Sequence, residues 1–81
     1  MLDQVEMPAE SVTLEQLVHR RIHERTGGQV RQLRVFVADE HVVIAGQTRN
    51  YYQKQLVLAA ALEVLKCESV AFLLSLNIDV D

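Results

Sequence analysis

The sequence predicts an α+β domain in the order helix, strand, strand, helix, strand: a three-stranded mixed sheet with two helices packed on one face. Three observations predict it. Residues 35–50, VFVADEHVVIAGQTRN, read as two β-branched strands around an Ala38-Asp39-Glu40-His41 turn; the second closes on Gly46, and a capped helix follows within four residues. Residues 70–81 alternate Val70, Phe72, Leu74, Leu76, Ile78 and Val80 with Ala71, Leu73, Ser75, Asn77, Asp79 and Asp81, a period of two with no helical reading. A strand–helix–strand unit crosses over right-handedly in nearly all proteins, which puts both helices on one face.

Each element has its own signals. Residues 1–10 carry Asp3, Glu6 and Glu10 around Pro8 without apolar periodicity and are expected to form a mobile acidic leader, leaving 11–81 as a single domain. Thr13 is a good N-cap with Gln16 as its capping-box partner, and Val12 and Leu17 stand where a hydrophobic staple would put them. Leu14, Leu17, Val18 and Ile22 keep helical spacing until Gly27-Gly28, a pair tolerant of left-handed backbone. The first strand is expected from about Val30 to Ala38, with Leu33, Val35 and Val37 on one face. The second, His41 to Gln47, turns Val42 and Ile44 inward. Gly46 comes next in that inward row, and its missing side chain predicts the close approach of another backbone. Asn50 caps the second helix, with Gln53 at the capping-box position, and that helix is expected to reach Lys66 or Cys67. The last strand is expected parallel beside the second.

Bulk properties restrict the functional classes. Eighty-one residues, 49% hydrophobic and 23% charged, belong to a small globular protein with a sufficient but marginal core. A net charge of −3 argues against polyanion binding by the whole surface. Cys67 is the only cysteine, so no intrachain disulfide framework exists. The N-terminus lacks the basic and apolar regions of a signal peptide, and no apolar run is long enough to span a membrane. The chain as it stands is expected to be soluble and cytoplasmic; a fragment of a longer precursor would belong to the cell envelope.

From Val37 to Leu76 the chain resembles a BON domain, a small bacterial module named for an osmotically induced periplasmic protein and nodulation proteins. Val42, Ile44 and Gly46 match its valine and aliphatic residue leading into a glycine, and Asn50 matches its small polar helix opener. Val57, Ala60, Ala61 and Val64 match the inward positions of its helix, and Val70, Leu74 and Leu76 those of its closing strand. The turn departs from the pattern, with Glu40 where a glycine is usual. Lys66-Cys67 replaces a Gly-Val pair, and Phe72 an asparagine. The resemblance implies binding to phospholipid or another hydrophobic ligand, or service as an interaction module in envelope proteins. It implies no catalytic residue.

Two features exceed what the fold requires. Along the second helix Val57, Ala60, Ala61 and Val64 form the stripe a sheet needs, yet Tyr51, Leu58, Leu62 and Leu65 carry the apolar arc well beyond it. Either the first helix covers the extra leucines, or a second surface does: another subunit, or lipid. The other feature is basic. Arg20, Arg21, Arg25, Arg31 and Arg34 fall within fifteen residues, joined by His19 and His23 and opposed only by Glu24. Arg20, Arg31 and Arg34 are candidate contacts for anionic lipid or another anion, whereas Arg21 and Arg25 are expected to lie along the stripe they share with Val18 and Ile22.

Other chemistries find little support. His19 and His23, an i,i+4 pair one turn beyond Glu15, lack an accompanying metal motif, and no metal or other cofactor is expected. Cys67 falls at the helix end whose dipole opposes a thiolate, and is expected to be a buried small apolar residue. Ser11, Ser69 and Ser75 have no histidine and acid at triad spacing. RNA-binding KH domains share part of the element order but clamp their ligand with a Gly-x-x-Gly loop between helices. Here Gly27-Gly28 lies between helix and strand, so nucleic acid is the weakest expectation. The sequence thus leads to a non-catalytic module. A homodimer formed through the second helix is the first expectation, and peripheral binding to anionic phospholipid or another hydrophobic ligand the second. An unidentified protein partner is the third.

Overall fold

A computed structural model describes residues 13–81. Helix α1 spans Leu14–Thr26, strand β1 Arg31–Ala38, β2 His41–Thr48, helix α2 Tyr51–Cys67 and β3 Leu73–Val80. The sheet order is β1-β2-β3, antiparallel between the first two and parallel between the last two, so β2 is central. The α+β class, element order and parallel placement of β3 agree with expectation. The acidic leader and the Val12 half of the staple lie outside the described residues.

Local chemistry explains the element boundaries. The Thr13–Gln16 capping box of α1 is complete, each side chain accepting from the other residue's backbone N–H. At its end Gly27 and Gly28 have φ of 66° and 76°, and both N–H groups return to the His23 carbonyl. Only the forward half of the box forms on α2: Gln53 N–H donates to Asn50 Oδ1 at 2.9 Å, while Gln53 Oε1 is buried without a protein partner. Helix α2 ends in a Schellman motif, with Ser69 N–H on the Lys66 carbonyl and Val70 N–H on that of Leu65. Its left-handed position, φ 59°, is held by Ser69 where glycine is favoured.

The third strand is shorter than its alternation predicts. Leu73 pairs with His41, the first residue of β2, so residues 70–72 have no strand to join and instead carry the chain out of the Schellman turn. Gly46 is where backbones crowd, as expected. A β-bulge separates Arg31 from Arg34, with Gln32 at φ 54°, and a Cβ on Gly46 would stand 2.9 Å from Val30 Cγ1 and 3.2 Å from the Arg31 carbonyl oxygen.

One core lies between sheet and helices. Val18 and Ile22 of α1, Val42 and Ile44 of β2, Val57, Ala60, Ala61, Val64 and Leu65 of α2, and Ile78 of β3 are buried. Leu33, Val35 and Val37, all on one face of β1, pack against them half-buried. Helix α1 rests on β1 and on α2, and α2 lies across β2 and β3. Small Ala60 and Ala61 let α2 approach closely. Among the described residues, the opposite face of the sheet carries no helix.

Candidate interaction surface

The fate of the surplus apolar residues of α2 follows from where α1 sits. Glu63 accepts a 2.7 Å hydrogen bond from Arg21 Nη1 and a second from Arg25 Nη2, so that side of α2 faces α1. Successive helical residues turn by about 100°, which puts Tyr51, Leu58 and Leu62 about 100–140° around the helix from Glu63. They therefore lie on the flank turned away from α1, towards the β3 side of the sheet. Tyr51 is 62% exposed and Leu62 50%, and Leu58 is half-buried.

Leu65 requires a correction. The sequence pattern puts it with these three on the outward arc, but it is 5% exposed, packed into the core. The buried stripe of α2 is wider than a minimal sheet-facing stripe because the Schellman turn returns the chain to Leu65, whose carbonyl accepts the Val70 N–H, and Val70 packs against the same core. Helix α1 does not cover the rest of the arc. Tyr52, adjacent to Tyr51 and 68% exposed, adds a second ring at the helix start. The helix-free face of the sheet adds Phe36 and Leu73, both exposed and both on its open side by strand alternation. Their period-two position in the sequence carries that signal, since residues next to inward ones must point outward.

The arginines do not form one site. Arg20 lines a shallow hollow between the helices with Glu24, Cys67 and Glu68. Arg34 lines another on the open sheet face, beside Asn77 and Asp79. Arg31 lies near Gly28 and Arg49 and binds the Asp81 carboxylate. Arg21 and Arg25, expected along the apolar stripe, instead reach across to Glu63. Their hydrogen bonds, that of Arg21 foremost, hold the Glu63 carboxyl below its ordinary range, and the same contact raises Arg21 further into its charged form.

Cys67 is also corrected. It is exposed on the last turn of α2, because the helix rotates it past the core stripe that ends with Val64 and Leu65. His19 and His23 are exposed, and the His23 ring packs against Gly28, where a Cβ would meet it at 2.8 Å. Among the described residues no cluster of three metal-ligating side chains exists, and no helix is long and apolar enough to cross a membrane.

The two borders of the sheet differ in chemistry. On β1, the Glu15 carboxylate from α1 accepts the outward Val37 N–H at 2.9 Å, and the bulge at Gln32 bends the strand beside the charged Arg31 and Arg34. On β3, the register with β2 is unbroken from Leu73 to Val80. Comparison with protein-family models, with curated proteins and with solved structures finds no match to this chain.

Proposed function

We propose that the chain is a non-catalytic interaction module of BON type that self-associates through the outward flank of α2. The single observation that carries this reading is the outward set of exposed Tyr51 and Leu62 with half-buried Leu58, turned away from α1 along a helix whose other side is already buried. Fully burying an exposed leucine gains about 1.5–3 kcal/mol, and these partly covered side chains gain the corresponding fraction of it. A two-fold partner supplies the same surface in return without requiring a second gene product. The BON-like reading is supported by Val42 and Ile44 in the core, Gly46 at a crowded crossing and Asn50 as a working N-cap.

Peripheral binding to anionic phospholipid has less support, because Arg20, Arg31 and Arg34 occupy three separate hollows, each with a carboxylate nearby or already engaged. Nucleic-acid binding gains only the exposed Tyr51-Tyr52 pair. The test compares wild type with Leu62→Glu by light scattering, and both by flotation with vesicles rich in phosphatidylserine. Self-association predicts a wild-type mass above that of one chain and a variant mass equal to one chain, with neither protein floating. A monomeric wild type that floats at low salt and sinks as salt rises would replace this reading with the lipid one.

A further inference from the structure

We propose that the free edge of β3 is the seam of a symmetric dimer, in which two copies of β3 pair antiparallel and join two sheets into one of six strands. This rests on the self-association reading above and names its geometry.

The edge has the chemistry that strand pairing needs. Leu73 N–H donates to the Glu40 carbonyl and Asp81 N–H to that of Thr48. The odd-numbered residues of β3 therefore turn their backbone towards β2, and Leu74, Leu76 and Ile78 turn N–H and C=O away from it. Among the described residues nothing meets those groups. A long, regular edge strand without proline, lysine or bulge is a template for another strand, and proteins normally disrupt such edges. This chain does so on β1, with Glu15, the Gln32 bulge and two arginines, and not on β3.

A second copy fits this edge better than an unlike strand. A two-fold axis normal to the sheet, passing through Leu76 or Asn77, keeps the helices of both copies on one side. With Leu76 on the axis, Leu74 faces Ile78 of the other copy and Leu76 faces itself, each pair closing two backbone hydrogen bonds. On the open side Ser75 then faces Asn77. Moving the axis to Asn77 keeps the helix-side row wholly aliphatic. In either register Asp79, the only charged residue on the strand, stays away from its own copy. The same axis brings the Leu58 and Leu62 flanks of the two α2 helices towards each other above the seam, so one operation covers both the polar edge and the apolar flank.

Hydrogen exchange on the wild-type chain tests this, read residue by residue beside the solution mass. The amides of Leu74, Leu76 and Ile78 should be protected like that of Ala45 inside the sheet when the protein is dimeric, and should lose that protection on dilution to monomer. Ser75→Lys, Asn77→Lys and Asp79→Lys combined, all at exposed positions, set lysine against lysine across the seam in either register, since residue 75 faces 77 with the axis at Leu76 and faces 79 with the axis at Asn77. That variant should keep its far-UV circular dichroism and be monomeric. A dimeric wild type whose Leu74, Leu76 and Ile78 amides exchange freely, or a triple variant that stays dimeric, would overturn the seam and leave self-association standing. A wild type monomeric at every concentration would overturn both.

Discussion

Two residues of the hairpin turn and one of the sheet show how local geometry sets stability. Asp39 and Glu40 both have positive φ, 52° and 62°, as a two-residue loop matched to strand twist requires. Aspartate tolerates this, whereas glutamate is strained there by about 1 kcal/mol or more. Glu40→Gly should therefore raise stability by about 0.5–1 kcal/mol, measured by urea denaturation, since part of the relief is offset by glycine's freedom in the unfolded chain. Gly46→Ala should do the reverse. Its Cβ would crowd a stiff valine and a backbone carbonyl, and overpacking of this kind costs about 1–3 kcal/mol. Gly46 is legible in the sequence because a side chain missing from an aliphatic inward row marks a place where another backbone comes close. The strained turn is only half legible, because glutamate gives no sign that its φ will be positive until the strand register is known.

At the scale of elements, the helix pair is fastened by a charged clamp beside the core. Arg21 and Arg25 both donate to Glu63, joining α1 to α2. Glu63 titrates below its ordinary value of 4.5 in the folded chain, so the clamp contributes stability above that pH and loses it as the pH falls through the lowered folded-state value. Glu63→Gln should lower Tm near neutral pH, with the gap from wild type closing as the pH falls below 4.5 and through the lowered folded-state value, and narrowing in high salt. The clamp itself is not legible in the sequence, although all three of its residues fall on helices that are. Helical periodicity assigns a face to each residue, yet which faces meet depends on how α1 crosses α2. Periodicity misplaces Cys67 and Leu65 for the same reason: at the end of a helix, a rotation of one residue decides between core and solvent. Capping signals need no such knowledge, and Thr13, Gln16 and Asn50 form the bonds their spacing predicts.

The whole molecule is an open two-layer arrangement, with helices on one side of a narrow sheet and, among the described residues, nothing on the other. Such a layer leaves edges and flanks to manage, and this chain manages them unequally. Strand β1 is blocked by Glu15, a bulge and arginines, while β3 presents an even edge beside exposed Leu62 and half-buried Leu58 of α2. The surplus apolar residues of α2 are visible in the sequence as an arc too wide for one sheet. The asymmetry of the two edges is not, because it depends on strand order and on a glutamate reaching from a different element. The most direct test of self-association is sedimentation equilibrium of the unmodified chain over a wide range of concentrations. A mass rising from 9.2 kDa towards twice that value as concentration increases is the predicted result. A constant mass of one chain at every concentration would contradict it.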